Sequence, residues 1–161
     1  MNIETIKQWL KYDPTSGMFF WVKKPQRGIR AGARAGMRKQ DSGYRRVKIE
    51  GKWYYEHRLA WLYMTGVIPS LEIDHINGVP DDNRWENLRQ ATSTINKQNQ
   101  RRAHINNKST GILGVYPNKK GFLARITVAK RPKHLGTFKT KKEASAAYIK
   151  AKRIHHPGGT L

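Results

Sequence analysis

The amino-acid sequence predicts an α+β protein built from two small modules. Three observations carry that expectation. Short stretches in which apolar and polar residues alternate, the two-residue period of a half-buried strand, are separated by short helical patterns and by Gly- or Asn-containing turns. The 161 residues hold 5 Trp, 7 Tyr and 4 Phe, too many aromatics for a disordered basic tail and enough for small packed cores. The formal charge of +21 is unevenly divided: residues 1–100 carry 17 Lys+Arg against 10 Asp+Glu, and residues 101–161 carry 15 against 1.

In the first part, Ile3, Ile6, Trp9 and Leu10 fit a short amphipathic helix, ended by the turn Asp13-Pro14-Thr15-Ser16-Gly17. Met18–Val22 reads as a strand. Residues 23–39, rich in Arg, Lys, Gly and Ala without periodicity, read as a basic loop. Gly43–Ile49 and Lys52–Glu56 read as a hairpin turning at Glu50-Gly51, because Val47 and Ile49 alternate with charges. Leu59, Leu62 and Tyr63 predict a short helix that Gly66 stops. Leu71–Ile76 alternates like a strand, Asn77-Gly78 is a turn signal, and Asn87–Arg89 reads as a short extended piece. Thr92 or Ser93 caps a helix running to about Arg102.

Residues 104–110 are polar and Asn-rich and read as a linker. Beyond them, Ile112–Tyr116, Phe122–Val128 and His134–Phe138 predict three strands. Thr140-Lys141-Lys142-Glu143 is a capping-box sequence. Ala144, Ala147, Tyr148 and Ala151 then form a stripe suited to close packing on a sheet. In the middle strand Phe122, Ala124, Ile126 and Val128 share one face, while Leu123, Arg125 and Thr127 share the other. A helix on the first face leaves the second open.

Composition narrows the function. With no Cys there is no disulfide framework, no Cys-ligated zinc and no thiol nucleophile. No apolar run approaches the roughly 20 residues that span a bilayer, and Met1-Asn2-Ile3-Glu4 lacks the basic-then-apolar order of a signal peptide. The expectation is a soluble protein of the cytoplasm with no membrane partner and a polyanion, nucleic acid, as its ligand. One acidic island, Glu72, Asp74, Asp81, Asp82 and Glu86, interrupts the positive charge. A divalent cation would neutralise it; carboxylates that cap turns are the simpler reading of Asp81-Asp82-Asn83.

The segment richest in chemistry runs Asp74-His75-Ile76-Asn77-Gly78, then Asp82-Asn83-Arg84-Trp85-Glu86-Asn87-Leu88-Arg89, and on to Asn96. Phosphodiester hydrolysis needs a metal on the scissile phosphate, a general base for water, and stabilisation of developing charge. An Asp-His pair supplies a carboxylate ligand and an imidazole. Strand neighbours point to opposite faces, so serving one site together would require a twist or bulge at the strand end. Asn96 offers a neutral oxygen to a hard metal, and Asn87 an amide to hold the second imidazole nitrogen.

These residues, with Tyr55-Glu56-His57-Arg58-Leu59-Ala60 before them, resemble the HNH endonuclease motif of phage and intron-homing enzymes. The resemblance implies a ββα-metal module in which two strands and a helix surround one divalent ion, Mg²⁺ or Mn²⁺. It makes His75 the general base, Asp74 and Asn96 the metal ligands, and Asn87 the group orienting His75. Arg84 and Arg89 become candidate phosphate supports. The last position, often His in the family, is Asn here. His57 reads as a structural histidine at a helix start.

Residues 111–161 resemble the Apetala/ethylene-response-factor DNA-binding domain through Gly114-Val115-Tyr116, Phe122-Leu123-Ala124-Arg125-Ile126, His134-Leu135-Gly136-Thr137-Phe138 and Glu143-Ala144-Ala147-Tyr148. Such a sheet enters the major groove, which admits strands as well as helices. Candidate DNA contacts are Tyr116, Lys119, Lys120, Arg125, Thr127, Arg131, Lys133, His134 and Lys139. Base readout falls to Arg125, Thr127 and His134, and phosphate contacts to the lysines. The plant family typically has Trp where His134 stands.

The expected organisation is an HNH domain over residues 1–103, with a basic part at 1–66 and the ββα-metal core at about 67–103. The linker at 104–110 and the DNA-binding domain at 111–161 follow. The expected function is a homing-type, metal-dependent endonuclease acting on double-stranded DNA as a monomer or weak dimer, nicking one strand per active site, in a bacterial host cell if phage-encoded. The alternative is a non-catalytic DNA-binding regulator or recombination accessory on the same fold.

Overall fold

A computed structural model describes residues 2–103 and 107–160. The protein is α+β, as expected, and divides into two compact units, residues 1–92 and 93–161. No helix among the described residues is long and apolar enough to cross a membrane.

The first unit opens with helix α1 (Ile3–Trp9), capped by the Asn2 side chain, which accepts from the Thr5 N–H. The helix is shorter than expected. Leu10 and Tyr12 are buried and Lys11 is exposed, so strand β1 (Leu10–Asp13) pairs with β2 (Met18–Trp21) in the register Leu10↔Trp21 and Tyr12↔Phe19. The basic stretch that follows is tied to β2: the Trp21 N–H donates to Ala33 O (2.9 Å) and the Ala35 N–H to Phe19 O (2.7 Å). It then contributes β3 (Met37–Arg38) to the sheet order β3-β4-β5, with β4 at Arg45–Ile49 and β5 at Lys52–Tyr55. Glu50 and Gly51 take φ of 48° and 80°, the left-handed pair that a two-residue hairpin turn requires.

Helix α2 (Glu56–Thr65) stops at Gly66, whose φ of 74° is the left-handed C-cap. It buries Leu59, Ala60 and Leu62 in the core formed by Ile6, Leu10, Phe19 and Val47. β6 (Glu72–His75) and β7 (Leu88–Ala91) form a separate antiparallel ladder, and a 3-10 turn at Trp85–Asn87 leads into β7.

The second unit begins with α3 (Ser93–Asn99), so the division falls earlier than the expected boundary after residue 103. The reason is the chain's far end. The Gly158 N–H donates to Gln98 Oε1 (3.1 Å), Thr160 Oγ1 to Asn99 Oδ1 (2.9 Å), and buried Lys152 to the Gln100 carbonyl. Of the expected linker, residues 104–106 lie outside the described residues. Residues 107–110 form a turn built on Asn107, whose side chain donates to Ile112 O (3.1 Å) and accepts from Ser109 (3.0 Å).

Strands β8 (Val115–Asn118), β9 (Gly121–Val128) and β10 (Arg131–Phe138) form an antiparallel sheet in the order β10-β9-β8, with α4 (Lys141–His155) packed on it. Ala124 and Ile126 are buried with Ala144, Tyr148 and Ala151, while Arg125 and Thr127 are exposed, which is the expected alternation. The capping box forms: Thr140 Oγ1 accepts from the Glu143 N–H (3.2 Å) and Glu143 Oε2 accepts from the Thr140 N–H (3.2 Å). Losing an N-cap hydroxyl costs about 1 kcal/mol. Thr140→Ala should therefore lower the free energy of unfolding by that amount, seen in far-ultraviolet circular dichroism as a lower urea midpoint with the slope of the transition unchanged.

Candidate active site

β6 and β7 pair in unbroken register, with Asp74 opposite Arg89 and His75 opposite Leu88. The register holds no bulge between Asp74 and His75, so their service at one site would rest on the twist of the strand end. Asp74 is buried, and Arg89 donates to its Oδ2 from Nε (2.9 Å) and Nη2 (2.8 Å).

His75 is buried as well, and its Nε2 lies 2.9 Å from Asn83 Oδ1. Its ring sits 5.2 Å from that of His57 and 5.7 Å from that of Tyr44. Burial pushes the imidazole below its ordinary range, against the opposing pull of the Asn83 bond and the Asp74 charge. A neutral imidazole is the form that can accept a proton.

Asn83 is the buried centre of this arrangement, 1% exposed. Its Nδ2 donates to Glu56 Oε2 (3.2 Å), and its carbonyl accepts from the Tyr12 hydroxyl (2.6 Å). The β1–β2 turn closes on the same segment. The Trp85 N–H donates to Pro14 O (2.9 Å), and Gly17, at φ 73°, backs so closely that a Cβ there would stand 2.4 Å from Arg84 N. Glu56 opens α2 fully buried, with Arg45 Nε 3.3 Å from its Oε2. Burial raises the Glu56 carboxyl to about 7, although Arg45 and Arg34 pull the other way.

The direct contact expected between Asn87 and His75 is not made. The Asn87 amide accepts from the Asn77 N–H (2.9 Å) and donates to Asn77 Oδ1 (3.0 Å) and Asp82 O (2.7 Å). It closes the loop after β6, and Asn83 takes the place on the imidazole. The reason is the 3-10 turn, which directs residue 87 to the turn at Asn77-Gly78.

Turn capping accounts for Asp82, which accepts from Asn77 Nδ2 (2.6 Å) and from Arg84 Nε (2.9 Å) and Nη2 (2.8 Å). The Arg84 bonds hold the Asp82 carboxyl at about 2. Arg84 also donates to Glu86 (2.9 Å), so both neighbouring carboxylates occupy this candidate phosphate support. Asn96 lies on α3, in the second unit.

In the second unit, Tyr116, Arg125, Thr127 and His134 lie on the open face of the sheet. His134 is opposite Arg125, and the Arg125 guanidinium sits 4.8 Å from the Tyr116 ring. Lys119 and Lys120 form the β8–β9 turn, and Lys139 follows β10. Arg131 and Lys133 do not share that face. They stand opposite Val128 and Ile126, and Lys133 Nζ lies 3.3 Å from His155 Nε2 of α4. The two-residue strand period places them on the helix side.

Comparison with known proteins places this geometry. Residues 54–98 match the family model described as HNH endonuclease. This segment is, by that match, an HNH endonuclease domain. No curated protein matches the chain. A solved structure titled "DNA binding and cleavage by the HNH homing endonuclease I-HmuI" is similar at 22% identity and a TM-score of 0.48, over 98% of this chain and 93% of that one.

The HNH segment contains two groups whose roles sequence reasoning left out, Glu56 and Asn83, and Tyr44 before the segment is a third. Asn83 stood within the quoted motif, but nothing local marks a contact to a residue 27 positions away. His57 is buried, its Nδ1 has no hydrogen-bond partner, and burial, assisted by His75, lowers its pKa to about 3.

Because the folded pKa of His57 lies below the unfolded 6.5, its neutral form adds no penalty above 6.5, and stability is lost as pH falls from there toward 3. The loss amounts to about 2 kcal/mol near pH ~5. Glu56, raised from 4.5 to about 7, works in the opposite sense, losing stability as pH rises through that window. His57→Gln should therefore differ from the wild type in slope: relative to its own value near neutrality, the variant keeps about 2 kcal/mol more stability near pH ~5 in urea titrations. Equal slopes would refute the assignment.

Proposed function

We propose that this protein is a metal-dependent, homing-type DNA endonuclease that nicks one strand of a duplex per active site. The observation that carries the reading is the buried His75 next to Asp74 inside the HNH segment, with its Nε2 on Asn83.

His75 takes a proton from water. The electron pair left on oxygen forms the new P–O bond as the P–O bond to the leaving group breaks, and the departing oxygen is protonated by solvent. Asp74, neutralised by Arg89, is the carboxylate that would hold a divalent ion. Carboxylate and amide oxygens are hard donors, and a small dication such as Mg²⁺ or Mn²⁺ takes one or two carboxylates with several waters. No group of three or more His, Cys, Asp or Glu that could hold a metal ion is present among the described residues. When bound, the ion supplies stabilisation of charge on the phosphate and the leaving oxygen. Asn87 keeps the loop after β6 closed.

The second unit supplies DNA affinity in the manner of the Apetala/ethylene-response-factor domain it resembles. Its open face offers Arg125, Thr127 and His134 for base edges, with Tyr116 supporting Arg125, while Lys119, Lys120 and Lys139 take phosphates. Arg131 and Lys133 are left out of that set because of the face they occupy. One base serves one phosphodiester, so a monomer nicks and a double-strand break needs two protomers or two events.

Supercoiled plasmid bearing the target should convert to the open circle with Mg²⁺ or Mn²⁺ and stay supercoiled with EDTA. His75→Ala should abolish that conversion while changing the Kd for duplex DNA less than about threefold. Full cleavage by the variant would sink the mechanism, and metal-independent binding without nicking by the wild type would favour a DNA-binding regulator. Arg125→Ala should weaken binding by about 1–3 kcal/mol in gel-shift titration at fixed salt.

A further inference from the structure

Surfaces that hold unpaired bases combine aromatic faces with cations, because every base has a π-face and every nucleotide carries a phosphate beside it. The first unit holds such a combination in residues that precede the HNH segment. Three of the chain's 5 Trp, namely Trp9, Trp21 and Trp53, line one cleft of about 590 Å³ together with Met37, Arg34 and Lys48.

The cleft follows from the shortness of β3. That strand pairs only with Arg45 and Arg46, while β4 runs on to Ile49, so no strand among the described residues lies along the outer edge of residues 47–49. The chain before β3 is tied to β2 instead, through the bonds of Trp21 and Ala35. Apolar side chains are left half covered: Trp53 is 45% exposed and Met37 51%. Such residues are ordinary singly, but gathered around one cleft they mark a surface that a ligand covers.

Cations accompany the rings. Lys23 Nζ lies 3.9 Å from the centre of the Trp9 ring, and Arg46 Cζ 4.2 Å from that of Trp53. Residues 22–40 carry 7 Lys+Arg and no Asp or Glu. The carboxylate among the lining residues is Glu50, which accepts from Trp9 Nε1 (3.1 Å). That bond satisfies the polar edge of the indole, so Trp9 offers a ligand its face. A duplex backbone would use the cations and leave the aromatic cleft unfilled. An apolar peptide would fill the cleft and leave the cations unanswered. An unpaired nucleotide uses both.

We propose that this cleft is a binding site for an unpaired base of DNA, stacked on Trp53, with Arg34 and Lys48 taking the adjoining phosphates. The site tolerates any base and acts where the duplex is opened: capturing a displaced base there offsets part of the cost of displacing it. This assignment rests on the reading of the protein as DNA-binding and is independent of the chemistry at His75.

The test titrates the full-length protein, at fixed salt and in EDTA, with two duplexes of one sequence. One is fully paired, and the other carries a single-base bulge of 2-aminopurine. Wild type should bind the bulged duplex about tenfold tighter than the paired one and quench the 2-aminopurine fluorescence. Trp53→Ala should lose the preference and the quenching, with the Kd for the paired duplex changed less than about twofold. Trp53→Phe, which keeps an aromatic face, should retain most of both. Equal affinity of the wild type for the two duplexes, or a Trp53→Ala protein that keeps the preference and the quenching, overturns the assignment. Plasmid nicking reads the nuclease proposal separately. A protein that shows the preference and does not nick with Mg²⁺ refutes that proposal and leaves this site standing, and one that nicks without the preference does the reverse.

Discussion

A carboxylate taken out of water must be compensated, and in this protein one such group organises the first unit. Glu56 is fully buried, and an uncompensated charge there would cost several kcal/mol. Compensation comes from Arg45 and from the Asn83 amide. Because Asn83 has only two polar ends, the one that Glu56 does not use is committed to His75. The sheet holding Arg45, the helix opening at Glu56, the loop carrying Asn83 and the strand ending at His75 are thereby tied to one polar chain. The first hairpin, which contains no residue of the motif, takes part by gripping the Asn83 backbone through Tyr12 and Gly17.

Much of the fold was legible in local chemistry. Thr140 and Glu143 formed the reciprocal cap their spacing announces, Glu50-Gly51 made the hairpin turn, Gly66 ended α2, and β9 alternated as read. β1 was not legible, because Leu10 completes a helical stripe with Ile6 as well as it starts a strand; pairing with β2 decided it. The early start of the second unit depends on contacts from residues 158–160 to α3, which no pattern near residue 100 reveals.

The site was legible where it rests on residue identity and illegible where it rests on partners. Asp74 and His75 stand out in the sequence by type and spacing, and residues 54–98 around them match the HNH endonuclease family. The partner of the imidazole is a different matter. Asn83 and Asn87 are both amides a few positions downstream, and only the 3-10 turn between them determines which faces His75. Lys133 shows the same limit, since its charge suggested DNA while its register places it beside α4.

Chemical rescue reaches the central claim, that His75 removes the proton from water, most directly. His75→Gly leaves a space of imidazole size bounded by Asn83, His57 and Tyr44. The account predicts that this variant is inactive on target DNA and that added imidazole restores nicking in a saturable manner, with the restored rate following the neutral form of the added base. A variant that nicks without imidazole, or one that binds DNA normally and is not restored at any imidazole concentration, would contradict it.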